Sequence, residues 1–210
     1  MEKLNKITAS IAIIFISIGL IGFFSPLATL FKSLSSYNLL LTFILVSISF
    51  KNDIKKFSKL LLITFTIGFI SEQIGIHTGY LFGNYSYLNN LGFKFYGVPL
   101  IIGINWAILS IGAWNICKKI TQNKFINILI ASLLMTAFDF AMEPTAIELN
   151  YWKWENGIIP IYNYISWFLV SIIAIFFCSI YQKDYSGITK IVFVSQFIFF
   201  IILSSKIVWF

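Results

Sequence analysis

The sequence contains no arginine, one histidine and two cysteines, and charged residues make up only 11% of its 210 positions. A soluble domain of this length carries about a quarter charged residues, so the scarcity argues against one. Nucleic-acid binding is also disfavoured, because it calls for a clustered basic surface rich in arginine. Cys117 and Cys178 lie near the ends of apolar runs without metal-ligand spacing, and we interpret them as small core or lipid-facing residues.

Hydrophobic residues account for 59% of the chain, and long apolar runs recur along its whole length. A membrane-spanning helix needs about 20 such residues. The pattern therefore predicts an all-α fold, a polytopic integral membrane helical bundle in which residues 1–210 form a single domain. About seven spans are predicted, at 7–24, 34–50, 60–80, 97–117, 125–143, 161–181 and 189–209.

Two of these spans need comment. The first is interpreted as an uncleaved helix, because it is too long for the apolar region of a typical signal peptide and lacks a small-x-small cleavage site. The second opens with the polar stretch SLSSYN (33–38), so whether it crosses the membrane fully is left open.

The lysines are distributed unevenly over the predicted loops. Eleven lie on the side of the N-terminus, at Lys3, Lys6, Lys51, Lys55, Lys56, Lys59, Lys118, Lys119, Lys124, Lys183 and Lys190. Four lie on the other side, at Lys32, Lys94, Lys153 and Lys206. The positive-inside rule then predicts a multi-pass protein of the cell (inner) membrane with a cytoplasmic N-terminus and an external C-terminus.

Half of the acidic residues lie in the stretch AFDFAMEPTAIELNYWKWENGIIP (137–160). Asp139 and Glu143 are four residues apart and so share one helix face. Glu72 in the third span is predicted to reach the same half of the membrane. Carboxylates inside a membrane are costly unless they have a partner or a task, so we expect a functional site here. Two further acids, Glu148 and Glu155, are predicted to be solvated loop residues.

Two blocks of the sequence carry a specific combination of motifs. The first runs EQIGIHTGYLFGNYSY (72–87), continues with Leu91-Gly92 and GVPL (97–100), and ends at Asn105-Trp106. The second comprises Asp139, Glu143-Pro144, YWKW (151–154), Gly157, Ile159-Pro160, Asn163-Tyr164 and Trp167-Phe168. Together, over about residues 65–170, they resemble the carotenoid biosynthesis membrane proteins typified by bisanhydrobacterioruberin hydratase and bacterial carotenoid 1,2-hydratase. One departure is Asn84, where members of that family often carry arginine.

The resemblance implies an integral membrane enzyme that adds water across the terminal double bond of an acyclic carotenoid end group, giving a tertiary alcohol. Such a hydro-lyase needs no metal or other cofactor. Its implied partners are membrane lipid and a hydrophobic carotenoid substrate, with other enzymes of the carotenoid pathway open as further partners.

Hydration of a trisubstituted alkene requires a carboxylic acid that protonates the less substituted carbon and a second polar group that deprotonates the attacking water. Burial away from water favours the protonated acid, and aromatic faces stabilise the cation. We predict that Asp139 is the acid and Glu72 handles the water, although the reverse assignment is almost as well supported, and Glu143 is the third catalytic candidate. The predicted substrate-binding residues are Asn105, Trp106, Tyr85, Tyr87, Trp152, Trp154, Asn163 and Trp167.

Other interpretations stay open at this point. An end-group cyclase or isomerase would use the same protonation, and a non-catalytic transport or lipid-binding protein would need no acid. Glu72 is also compatible with a structural interhelical hydrogen bond, and Glu143, which precedes Pro144, with an interfacial residue at a helix end. A metal site built from Glu72, His77, Asp139 and Glu143 is weaker, since one histidine with scattered carboxylates is poor evidence for a metal.

Overall fold

The apolar runs fold as helices in the computed structural model, which describes residues 2–50, 54–181 and 187–209. Two of the lysines used for the topology prediction, Lys51 and Lys183, lie outside the described residues. The helices are α1 (Glu2–Phe23), α2 (Ala28–Ser33), α3 (Ser35–Ser49), α4 (Ile54–Thr78), α5 (Leu100–Cys117), α6 (Lys124–Glu148), α7 (Ile161–Tyr181) and α8 (Ile188–Trp209). Four short strands lie between them: β1 (Tyr85–Tyr87), β2 (Lys94–Phe95), β3 (Val98–Pro99) and β4 (Trp152–Trp154).

Among the described helices, α1, α4, α5, α6, α7 and α8 are long and apolar enough to cross a membrane. The predicted second span is α3, which has 15 residues. A helix of that size is about 22 Å long, shorter than the hydrocarbon core of about 30 Å. The prediction of an all-α polytopic bundle is confirmed, with six long apolar helices, and with the shorter α3 at the position of the predicted second span.

Helix α3 nevertheless connects the two ends of the bundle. At its start, the Tyr151 hydroxyl donates a hydrogen bond to Ser35 Oγ, which ties α3 to the loop after α6. Directly after its end, the Phe50 ring stacks on Phe57 in the first turn of α4, with ring centroids 4.2 Å apart. Helix α3 therefore runs from the end of the bundle where α6 ends to the end where α4 begins, which is the direction that the predicted order of spans requires.

The most enclosed helix is α5, of which 78% of the spanning segment is buried, against 33–44% for the other five long helices. Its neighbours α4, α6, α7 and α8 surround it, and α3 also packs on it. Near the end remote from the acids, Asn115 Nδ2 donates to Thr189 Oγ1 at 2.9 Å and so fixes α5 against α8. Because these helices surround α5, they also enclose the residues at its start.

The loops after α4 and α6 meet at one end of the bundle, which we call the carboxylate end. There β1 pairs antiparallel with β4, with Tyr85 opposite Trp154 and Tyr87 opposite Trp152. A second small ribbon forms within the first loop, where β2 pairs antiparallel with β3. The two long loops are thus joined to each other and close the carboxylate end.

Helix α6 continues beyond the predicted boundary. The sequence predicted an end at Glu143 because Pro144 follows, but the helix extends through Pro144 to Glu148. A proline removes one backbone donor, and tertiary contacts hold the turn that follows it. Thr145 Oγ1 and Ser204 Oγ are 2.9 Å apart, and the Tyr151 backbone N–H donates to the Ala146 carbonyl at 2.9 Å. The predicted end at Glu143 was therefore wrong.

The orientation in the membrane stays a prediction that cysteine labelling tests. Ser86 is exposed at the carboxylate end, and Gln122 is exposed at the opposite end, in the loop between α5 and α6. In a background with the buried Cys117 and Cys178 replaced by alanine, Ser86→Cys should react with an impermeant maleimide added to intact cells.

The matched Gln122→Cys variant should react only after the cells are permeabilised. Labelling of Gln122→Cys and protection of Ser86→Cys in intact cells would show that the orientation is inverted.

Candidate active site

Three acidic side chains are buried close together at the carboxylate end. Glu72 comes from α4 and is 3% exposed, whereas Asp139 and Glu143 come from α6 and are 1% and 2% exposed. All three line one cavity of about 40 Å³. That volume has room for about two or three water molecules.

The cavity brings together every site residue predicted from the sequence. Beside the three acids it is lined by Tyr85, Tyr87, Asn105, Trp106, Trp152, Trp154, Asn163 and Trp167. Four apolar lining residues were not predicted, namely Phe82, Ile102, Leu109 and Met142. The signal for three of them is their helical spacing, since Ile102 lies four residues before and Leu109 three residues after Trp106 on α5, and Met142 lies three residues after Asp139 on α6.

Glu72 accepts hydrogen bonds from three side chains. The Tyr85 and Tyr87 hydroxyls both donate to its Oε2, the second at 2.7 Å, and Trp106 Nε1 donates to its Oε1 at 2.9 Å. Burial raises the pKa of both tyrosine hydroxyls well above their usual range, and the charge of Glu72 raises it further. The tyrosines therefore remain protonated and act as donors to Glu72.

Glu143 is held by two indole groups from the neighbouring loop. Trp152 Nε1 donates to its Oε2 at 3.0 Å, and Trp154 Nε1 donates to the same oxygen at 2.9 Å. An indole N–H can only donate, so this oxygen of Glu143 serves purely as an acceptor.

The pairing of β1 with β4 explains how these donors reach the acids. Side chains alternate between the two faces of a strand, so the tyrosines of Tyr85–Tyr87 and the tryptophans of Trp152–Trp154 share one face. Ser86 and Lys153 point the other way and are exposed. One short ribbon thus supplies two phenols to Glu72 and two indoles to Glu143.

A glycine allows this ribbon to approach the start of α7. Gly83, just before β1, has φ of 117°, a conformation that side-chain-bearing residues rarely adopt. A Cβ at this position would lie 2.7 Å from Cγ of Pro160. The Phe-Gly pair at 82–83 is therefore a geometric requirement of the loop.

Asp139 has a different environment from the two glutamates. Its Oδ2 accepts a hydrogen bond from Asn163 Nδ2 at 2.9 Å. Its Oδ1 is buried and has no hydrogen-bond partner. Asp139 therefore accepts fewer hydrogen bonds than either glutamate.

Aromatic rings form the remaining walls. Trp106 of α5 and Trp167 of α7 stack with ring centroids 4.0 Å apart and planes 18° from parallel. The ring of Phe82 packs against Trp167 at 6.3 Å. The cavity thus combines several aromatic surfaces with three carboxyl groups, which is the inventory that alkene protonation requires.

The remaining polar candidates lie outside the cavity. Glu148 and Glu155 are exposed, but Glu148 is the last residue of α6 and not part of a loop as predicted. His77 is exposed and its Nδ1 donates to the Gln73 carbonyl at 2.8 Å. Across the part of the chain that the structure describes, no group of three or more His, Cys, Asp or Glu side chains is arranged to hold a metal ion.

The main feature that the sequence reading missed is the pairing of the two loops. The stretches YSY (85–87) and WKW (152–154) both alternate aromatic and polar residues, which is the periodicity of a strand with one buried face. That alternation was the available signal.

Comparison with known proteins identifies the family of the chain. A family model described as carotenoid biosynthesis protein matches residues 34–209. The chain belongs to this family. The match is longer than the resemblance at 65–170, since it includes α3 and α8. Neither the curated proteins nor the solved structures gave a match.

In this carotenoid biosynthesis protein, the position of Trp106 depends on a small residue in α4. A Cβ added at Gly68 would lie 2.4 Å from Cβ of Trp106. We expect Gly68→Ala to separate α4 from α5 or to displace Trp106 from Glu72, at a cost of about 1–3 kcal/mol in the free energy of unfolding. Thermal unfolding in detergent measures this loss.

Gly19→Ala in α1 is the matched control, because its Cβ would lie 3.5 Å from the nearest atom, Asn38 Nδ2. This variant should keep the stability of the parent protein. Equal stability of the two variants would contradict the close packing of α4 on Trp106.

Proposed function

We propose that this chain is a carotenoid hydratase, which adds water to the terminal double bond of an acyclic carotenoid end group. Membership of the carotenoid biosynthesis family supports the class of substrate. The observation that carries the reaction is the cavity itself, in which three buried carboxyl groups with unequal hydrogen bonding face aromatic walls.

The hydrogen-bond donors to the three carboxyl groups are neutral side chains: Tyr85, Tyr87, Trp106, Trp152, Trp154 and Asn163. Like charges in one water-poor cavity repel each other, so three ionised carboxylates are unfavourable there. A protonated carboxyl group among them relieves that repulsion.

Asp139 is the carboxyl group best suited to carry the proton. Glu72 accepts three hydrogen bonds and Glu143 accepts two, and such bonds stabilise the ionised form. Asp139 accepts one, at Oδ2, and its Oδ1 has no hydrogen-bond partner, so Oδ1 is the oxygen that we propose to carry the hydrogen. We therefore assign the role of general acid to Asp139.

The reaction then proceeds in two steps. The π electrons of the double bond form a new C–H bond between the less substituted alkene carbon and the proton of Asp139. The other alkene carbon becomes a tertiary cation. Water attacks that cation through oxygen and transfers a proton to Glu72, whose Oε1 accepts only the Trp106 hydrogen bond and keeps a free lone pair. Return of one proton from Glu72 to Asp139 through water restores both groups, so the net change is the addition of water.

The aromatic walls stabilise the intermediate. Cations are attracted to the faces of Trp and Tyr rings. The stacked pair of Trp106 and Trp167 lies beside Glu72, and Tyr85 and Trp154 are 5.1 Å apart on the opposite ribbon. At about 40 Å³ the cavity is much smaller than the several hundred cubic ångströms of typical ligand sites, so the reacting end group must displace lining side chains as it enters.

Product mass tests the proposed reaction. The protein should be expressed in bacteria that make lycopene or γ-carotene, and the pigments resolved by chromatography and mass spectrometry. Hydration adds the mass of one water molecule for each end processed, whereas cyclisation or isomerisation leaves the mass unchanged. An unchanged pigment profile with several acyclic substrates, despite confirmed membrane insertion, would refute the hydratase assignment.

Two isosteric variants test the site. Asp139→Asn removes the proton donor and Glu72→Gln removes the acceptor, so each should lower product formation by about 100-fold or more. Glu148→Gln and Glu155→Gln alter exposed acids outside the cavity and should retain full activity. Full activity of both Asp139→Asn and Glu72→Gln, at equal protein levels in the membrane, would show that the chemistry occurs elsewhere.

A further inference from the structure

Asn105 presents an amide group to the cavity that Glu72, Asp139 and Glu143 line, and the protein does not use this amide. The residue lies on α5. Among the residues that the structure describes, none forms a hydrogen bond with the Asn105 side chain. The other amide of the cavity, Asn163, is buried, and its Nδ2 donates to Asp139. Asn105 therefore has both a donor and an acceptor available to a small molecule in the cavity.

The accessible part of Asn105 faces the inside of the bundle. Asn105 is half-buried, whereas its neighbours on the same face of α5 are buried. These neighbours lie three or four positions away, at Ile101, Ile102, Ile108 and Leu109. Because this face of α5 is covered by the surrounding helices, the accessible part of Asn105 borders the cavity and not the lipid. A water-sized molecule in the cavity can therefore reach the amide.

A neutral amide in this position suits a water molecule. An amide withdrawn from bulk water without a hydrogen-bond partner costs free energy. The cavity, of about 40 Å³, has room for about two or three water molecules. Water offers the hydrogens that an amide oxygen accepts, whereas a hydrocarbon end group offers none.

We propose that Asn105 holds the water molecule that attacks the carotenoid cation, and that it thereby determines the product. The amide oxygen accepts one hydrogen of this water and Glu72 accepts the other, which leaves a lone pair of the water oxygen for the cationic carbon. The role rests on the proposed function, since it is the hydratase reaction that consumes a water. Asp139 and Glu72 still carry out the proton transfers, and Asn105 binds the water.

Loss of the held water changes the fate of the cation and not its formation. Without water, a neighbouring carbon gives a proton to the carboxylate of Asp139, and the electrons of that C–H bond form a new double bond. Alternatively, an internal double bond captures the cation, and the cyclic cation then loses a proton in the same way. Either product has the mass of the substrate, because one proton is added and one is removed.

The partition of the cation between these products tests the role of Asn105. The purified protein in lipid nanodiscs is given lycopene in buffered heavy water, and the pigments are resolved by chromatography and mass spectrometry. The acid delivers deuterium, so cations that escape water appear as deuterium-labelled hydrocarbon. Asn105→Leu should lower the ratio of alcohol to labelled hydrocarbon by about fivefold or more, as the loss of one net hydrogen bond predicts. The sum of the two products should stay near that of the parent protein.

Two further variants localise the effect. Asn105→Ser keeps a hydroxyl group that can bond to water and should give a higher ratio than Asn105→Leu. Ile104→Leu alters the preceding residue of α5, which is not among the residues that line the cavity, and should keep the ratio of the parent protein. Because both products come from one cation, a smaller amount of folded protein does not change the ratio. If Asn105→Leu does not insert in the membrane, Asn105→Ala takes its place.

An unchanged ratio in Asn105→Leu would overturn the role of Asn105. Loss of both products from this variant, with thermal unfolding in detergent unchanged, would also overturn it, since the amide would then be needed before the cation forms. In either case alcohol formed by the parent protein leaves the hydratase assignment intact. Absence of alcohol from the parent protein refutes the hydratase assignment and, with it, the role of Asn105.

Discussion

The antiparallel pairing of Tyr85–Tyr87 with Trp152–Trp154 connects the loop after α4 to the loop after α6. Buried carboxylates at the end of a membrane bundle are tolerated only when donors satisfy them. Here the ribbon turns two phenols toward Glu72 and two indoles toward Glu143, so these acids accept hydrogen bonds from neutral donors. The helices bring the acids together, and hydrogen bonds from the ribbon stabilise the acids in their buried position.

The unequal distribution of donors is the basis for the different roles that we propose for the acids. Glu72 accepts three hydrogen bonds and Glu143 accepts two, whereas Asp139 accepts one and keeps its other oxygen without a partner.

The local pattern of the sequence was sufficient for most of the helices. Long apolar runs located α1, α4, α5, α7 and α8 to within a few residues, except that α1 begins five residues and α4 six residues before the predicted start. A helix of this type is defined by its own composition. The local pattern did not predict where α6 ends, because contacts with residues outside the helix determine its end. Helix α6 continues past Pro144 because Ser204 of α8 and Tyr151, in the loop directly after α6, hold its last turn.

The candidate site was also predicted only in part from the sequence. The resemblance of the motif blocks selected eleven residues, and all of them line the cavity. Helical spacing explains why Asp139 and Glu143 share a face, but no local rule pairs Tyr85 with Trp154 across 69 positions of the chain. A three-residue alternation of aromatic and polar residues is too short to predict a strand with confidence, and its partner is set only by the packing of α4 on α7 and of α6 beside them.

Infrared spectroscopy of the purified protein tests the division of roles among the acids most directly. If Asp139 carries the proton while Glu72 and Glu143 are ionised, the spectrum contains the carbonyl stretch of a protonated carboxylic acid, and this band shifts in heavy water. The band should disappear in Asp139→Asn and persist in Glu143→Gln and Glu72→Gln. A band that persists in Asp139→Asn and disappears in Glu143→Gln or Glu72→Gln would contradict the assignment of Asp139 as the acid.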